Sequence, residues 1–102
     1  MIDEVARRRH ELQVICRRLH VRRLELFGSA VRVDFDPERS DLDFMVEFER
    51  ETPLHPFDAY FALKEGLEAL FGRRVDLVMA GAIRNPYRKM SIELSREIVF
   101  AA

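Results

Sequence analysis

Apolar residues over the first twenty positions recur at helical spacing. Val5, Leu12, Ile15, Cys16 and Leu19 form one stripe, with Arg7, Arg8, Arg17 and Arg18 mostly off it. This period predicts an amphipathic helix from Ile2 to His20. At Leu24-Glu25-Leu26-Phe27 the period shortens to two and stops at Gly28-Ser29, which predicts a short strand running into a glycine turn. A helical turn is expected over Ala30 to Val33. Asp36-Pro37-Glu38-Arg39-Ser40 is turn chemistry, because proline fixes φ and Asp and Ser side chains satisfy nearby backbone donors. Leu42 to Phe48 alternates again: Leu42, Phe44, Val46 and Phe48 face a core, while Asp41, Asp43, Met45 and Glu47 face water. After Pro53 and Pro56, the residues Phe57, Tyr60, Phe61, Leu67, Leu70 and Phe71 set a helical stripe, and Gly72 stands where a left-handed cap belongs. Val75 to Met79 predicts a third strand with Asp76 out of phase with its core side chains. Asn85-Pro86 predicts an N-cap and first helical position, leading through Tyr87, Met90 and Leu94 to a fraying end at Ile98-Val99-Phe100.

The order αβαβαβα places the chain in the α/β (α+β) class. Three strands, each polar on one side, are too few for a sheet covered by helices on both faces. A small mixed three-stranded sheet is expected, with helices mainly on one face and the acidic positions on the other. The 102 residues, 48% apolar and 34% charged, fit a single domain over 1–102. The lone cysteine, Cys16, excludes a disulfide scaffold and points to a reducing, cytoplasmic setting. No apolar run is long enough to span a bilayer.

The formal net charge of -1 conceals two opposite patches. Residues 1–23 hold seven Arg against three acids, and residues 34–51 hold eight acids against two Arg. The basic block reads as a solvated face, as a dock for an acidic partner surface, or as a nucleic-acid footprint; charge alone does not choose.

Asp41 and Asp43 lie two apart on a strand, so both project from one face, with Cα atoms roughly 6.6 Å apart. Their hard carboxylate oxygens suit Mg²⁺. Asp76 contributes a third carboxylate in the same out-of-core phase, and three converging acids suffice for two divalent ions in an in-line phosphoryl displacement. Upstream, the Gly28-Ser29 turn offers backbone N–H groups and a hydroxyl to phosphate oxygens, and glycine lets the backbone approach closely. Each fragment alone has a bland alternative, an outward acid on an amphipathic strand or an ordinary turn.

In combination, Phe27-Gly28-Ser29, eleven intervening residues, Asp41-Leu42-Asp43 and later Asp76 resemble the nucleotidyltransferase superfamily of the DNA polymerase β type. The match is to its minimal nucleotidyltransferase (MNT) branch, and it extends through Ile83-Arg84-Asn85-Pro86-Tyr87. Val33 departs from the pattern, standing where many relatives have glycine. The resemblance implies that Gly28 and Ser29 hold the triphosphate of ATP and that Asp41 and Asp43 ligate two Mg²⁺ ions. Asp76 would complete the ion site and help deprotonate the attacking hydroxyl. It implies further that the acceptor is a partner protein, a HEPN-domain toxin adenylylated on a tyrosine, with this chain as the antitoxin. A non-catalytic module that caps the toxin stoichiometrically is the competing expectation. A homo-oligomer is left open.

His10, His20 and His55 lack the spacing of paired metal ligands on one helix, and Cys16 lies on an apolar stripe, as packing rather than as a nucleophile. The aromatics Phe57, Tyr60, Phe61 and Phe71 are expected in the core. Arg32 and Arg39 flank the proposed phosphate and metal loops, where they either touch phosphates or, as arginines near a dense acidic stretch more often do, only offset charge.

Overall fold

The Val5–Leu19 stripe does form helix, in two pieces. α1 (Asp3–Arg7) ends where the N–H of Arg8 donates to the Val5 carbonyl at 3.2 Å, and α2 (Arg9–Arg18) begins immediately after. The structure, a computed structural model, describes residues 3–28, 41–81 and 96–102. The expected helical turn at 30–33, the turn at 36–40 and the helix opened by Asn85-Pro86 lie outside the described residues.

Among the described residues, four strands make one mixed sheet in the order β3-β2-β1-β4. β1 (Val21–Phe27) pairs antiparallel with β2 (Leu42–Phe48) on one side and with β4 (Glu97–Ala101) on the other. β3 (Val75–Met79) runs parallel to β2 after the crossover through α3 (Pro56–Phe71). The fourth strand corrects the three-strand expectation. Ile98-Val99-Phe100 is not the end of a helix; it pairs with Arg23 to Leu26 of β1. β-Branched and aromatic residues suit a pleated, half-buried surface, and the unpaired edge of β1 supplies the hydrogen bonds that decide the matter.

The helix α3 owes its bounds to local chemistry. His55 caps it, its Nδ1 accepting from the Phe57 N–H at 3.1 Å, and Pro56 follows at the start. Gly72 closes it at φ 63°, with its N–H donating to the Glu68 carbonyl at 2.8 Å. The buried face is Ala59, Leu63, Leu67 and Phe71, at the four-residue spacing of one helical stripe. Phe57 and Phe61 are therefore not core residues: they stand 66% and 48% exposed, one step around the helix from that stripe. Tyr60 lies between the two zones and donates its hydroxyl to the Leu77 carbonyl at 2.6 Å.

α2 and α3 cover the same face of the sheet. Leu12 and Cys16 from α2, with Leu63 and Leu67 from α3, meet Leu24, Leu26, Phe44 and Val46 from the strands, all at 0% exposure. Phe44 stacks on Phe71 with ring centroids 6.1 Å apart. Burial pushes the Cys16 thiol up to about 12, so the sulfur stays protonated and acts as a small apolar side chain. Alternation sends the odd-numbered residues of β2 to the other face, and their cross-strand partners follow.

Candidate active site

Register decides what gathers on that second face. Phe27 pairs with Asp43 across β1 and β2, and Asp43 pairs with Asp76 across β2 and β3. Register partners share a face, so the Asp43 and Asp76 side chains rise side by side from strands about 4.8 Å apart. Asp43 is half-buried and Asp76 is exposed. Asp41 is exposed one residue before β2 begins, in phase with Asp43. Its neighbour Leu42 carries on the parallel ladder, donating its N–H to the Arg74 carbonyl at 3.2 Å.

Gly28 completes this row. It follows Phe27 directly and sits at φ 72°, in the left-handed region that favours glycine. A Cβ built on Gly28 overlaps Oδ2 of Asp43 and stands 3.3 Å from its Cγ. The backbone at the end of β1 thus lies against a carboxylate on the neighbouring strand β2, an approach that only glycine permits. Ser29, the other residue expected to hold phosphate, lies outside the described residues, as do Arg32 and Arg39.

The structure brings Asp43, Asp76 and Gly28 together and leaves Asp41 at the rim. Among the described residues, no three acidic, histidine or cysteine side chains close into a ready-made metal cage. Such a cage is not what Mg²⁺ requires, since that ion keeps several waters and is commonly held by one or two carboxylates together with substrate phosphates. Adjacent carboxylates beside a close-approaching glycine fit that mode.

One buried charge on this face escaped sequence reasoning. Glu25, two residues before Phe27, is 2% exposed and faces Arg23 at 3.6 Å and Arg96 at 3.7 Å. Among the described residues, its Oε2 has no hydrogen-bond partner. Glu25 lies on the face opposite Leu24 and Leu26, and nothing in the local sequence signalled that Arg96, seventy-one positions away, would be brought alongside it by β4.

Residues 10–99 match the family model described as a nucleotidyltransferase domain. A chain of Methanocaldococcus jannaschii, provisionally named a protein adenylyltransferase, is 42% identical over 86 residues, covering 84% of this chain and 83% of the relative. The protein adenylyltransferase MntA of Thermococcus cleftensis is 41% identical over 83 residues, covering 81% and 77%. A solved structure provisionally named a minimal nucleotidyltransferase superposes with a TM-score of 0.72 at 30% identity, covering 90% of this chain and 89% of that one. The fold also matches the complex of a tri-AMPylated HEPN toxin with its MNT antitoxin from Shewanella oneidensis, with a TM-score of 0.65 at 17% identity and coverage of 96% and 73%. With its sheet order, its paired aspartates and these relatives, the chain belongs to the nucleotidyltransferase-domain family and to its minimal branch, an enzyme of the protein-adenylyltransferase kind.

Proposed function

We propose that the protein transfers AMP from ATP to a hydroxyl of a partner protein, a tyrosine of a HEPN-domain toxin, in a magnesium-dependent reaction that makes it the antitoxin of the pair. One observation carries this reading: Asp43 is in register with Asp76 on one side and lies against Gly28 on the other. This supports a reading in which carboxylate oxygens serve a divalent ion and an incoming hydroxyl, next to backbone that phosphates can approach. The 41% identity to MntA supports the adenylyl donor and the protein acceptor. The fold shared with an MNT–HEPN complex supports the partner class.

In this reading Gly28 and Ser29 bind the triphosphate, and Asp41 and Asp43 hold magnesium, with Asp76 alongside. Bound magnesium neutralises phosphate charge. Asp76, the most exposed acid of the adjacent pair, takes the proton from the acceptor hydroxyl. Most of the acceleration then comes from holding the reactants in line and offsetting charge as it develops.

The test is to incubate the protein with α-labelled ATP, Mg²⁺ and the product of its neighbouring gene, and to read the partner's intact mass. The expected result is a gain of one or more adenylyl groups that needs Mg²⁺ and falls by roughly a hundredfold or more with Asp43→Asn. Equal labelling by wild type and Asp43→Asn sinks the enzymatic reading. A variant lacking all three aspartates that still neutralises the partner at equal stoichiometry would favour the capping module instead.

A further inference from the structure

Where α3 begins and β3 ends, the helix-covered side of the sheet opens into an apolar groove that the proposed chemistry leaves unused. Pro56, Phe57, Tyr60 and Phe61 face Met79 across a space of about 440 Å³. Met79 shares the side of β3 on which Val75 and Leu77 are buried. Phe57, Phe61 and Met79 are 66%, 48% and 36% exposed. The rings brace one another: Phe57 and Phe61, one helical turn apart, have centroids 5.7 Å apart, and Tyr60 meets Phe61 edge-on at 5.2 Å. An aromatic wall held in this way has little conformational freedom left to lose when it is covered.

The sheet edge narrows what seats there. Among the described residues β3 is an edge strand. Leu42 donates its N–H to the Arg74 carbonyl and Ala80 donates its own to the Val46 carbonyl, so the even-numbered residues of β3 bond to β2, and Val75, Leu77 and Met79 turn their main-chain groups outward. α3 takes up two of these groups: Glu68 Oε2 accepts from the Val75 N–H at 3.2 Å, and the Tyr60 hydroxyl donates to the Leu77 carbonyl at 2.6 Å. Side chains at those points bar an added strand, so an occupant engages the groove through its own side chains. Area argues against a second copy of the chain. An aromatic side chain is worth roughly 150–250 Å² when fully covered, so the exposed parts of Phe57, Phe61 and Met79 offer about 300 Å², against about 800 Å² that each partner gives to a stable interface. The groove has the size of the apolar centre of a larger contact. That contact runs along β3, because Asp76 lies on the same strand three residues before Met79, roughly 10 Å away. A protein that presents a hydroxyl to Asp76 already lies against this edge.

We infer that this groove is the docking site of the acceptor protein, which inserts apolar side chains of one of its helices between Phe57, Phe61 and Met79 while its target hydroxyl reaches Asp76 around the edge of β3. This inference rests on the functional reading above and names the surface that holds the acceptor. A helix with apolar side chains at i and i+4 offers two anchors at the spacing of Phe57 and Phe61. The aromatic wall selects and holds the protein, and the aspartates act on it.

The experiment measures, by titration calorimetry, the affinity of the neighbouring-gene product for wild type, the Phe57→Ala/Phe61→Ala double variant, Met79→Ala and, as a control, Val14→Ala, which trims an apolar side chain on α2 that is also exposed. Adenylyl-transfer kinetics, binding of Mg²⁺ with the uncleavable analogue AMPCPP, and melting temperature are read beside it. Expected for the double variant is an affinity about 30-fold weaker or more, with KM for the acceptor raised by a similar factor, and with the saturated rate and AMPCPP affinity within threefold of wild type. Met79→Ala should lose less, and Val14→Ala nothing. A second arm keeps an aromatic ring in place: benzoylphenylalanine at position 57 should photo-cross-link to the acceptor, on the apolar stripe of a helix. An affinity of the double variant within threefold of wild type overturns the inference. So does a cross-link to a second copy of the chain, or a loss of affinity that comes with a fallen melting temperature and no cross-link to the acceptor. If wild type binds the neighbouring-gene product but transfers no AMP, the enzymatic reading fails while the affinities still decide the docking surface. If wild type does not bind it, the proposed occupant fails.

Discussion

Replacing Gly28 by alanine separates two costs that are usually confounded. Gly28 and Gly72 both occupy the left-handed region, at φ 72° and 63°. A Cβ on Gly72 meets nothing within 4 Å, whereas one on Gly28 overlaps the Asp43 carboxylate. Gly72→Ala therefore reports the backbone strain alone, about 1–2 kcal/mol. Gly28→Ala adds the displacement of Asp43 from its rotamer, about 0.5–1.5 kcal/mol. In a domain of this size 1 kcal/mol shifts the melting temperature by roughly 4–8 °C. The expected falls are about 4–16 °C for Gly72→Ala and a further 2–12 °C for Gly28→Ala. Calorimetric melting of the two variants, with Asp43→Ala and the Gly28→Ala/Asp43→Ala double variant, isolates the contact. Removing the carboxylate should return most of the added cost, because the remaining Asp43 Cβ is 3.5 Å from the new methyl, an ordinary contact. Activity sharpens the comparison: Gly28→Ala should lose adenylyl transfer far beyond its loss of stability, while Gly72→Ala should keep it. Equal melting of the two alanine variants with no coupling to Asp43 would refute the reasoning, since the overlap would then cost nothing.

Two further outcomes follow from the core. Phe71, 7% exposed and stacked on Phe44, should lose about 3–4 kcal/mol on Phe71→Ala, read from urea unfolding midpoints. For Cys16, the folded thiol titrates near 12 against an ordinary value of 9.0. Between those values the unfolded chain has lost a proton that the folded one keeps, so stability is full below pH 9 and declines as pH rises, by up to about 1.4 kcal/mol per unit. Cys16→Ala should remove that component of the alkaline slope, and the native thiol should resist thiol-specific reagents at pH 8.

Alternation in β2 and β3 was visible in the chain, and so was the face on which Asp43 and Asp76 lie, because a two-residue period leaves one choice once the apolar side is known. Gly72 was equally legible, since a glycine after an apolar helical stripe has a specific backbone task. What the sequence concealed depended on partners distant in the chain. Ile98-Val99-Phe100 carries no periodicity long enough to separate a helix end from an edge strand; the open side of β1 settles it. Phe57 and Phe61 fit a helical stripe as well as Ala59 and Leu63 do, and only the position of the sheet selects the second pair. Glu25 was legible as to face but not as to burial, which arises when β4 brings Arg96 beside it.

The placement of β4 also bears on how the protein comes into being. The strand that leads into Gly28 is central in the sheet, yet its second neighbour begins seventy residues after it ends. On a ribosome, β1 can zip onto β2 early, but its far edge stays raw until β4 has been made. Arg96 arrives on the threshold of β4, so a nascent chain that already holds Glu25 still lacks one of the two guanidinium groups beside it.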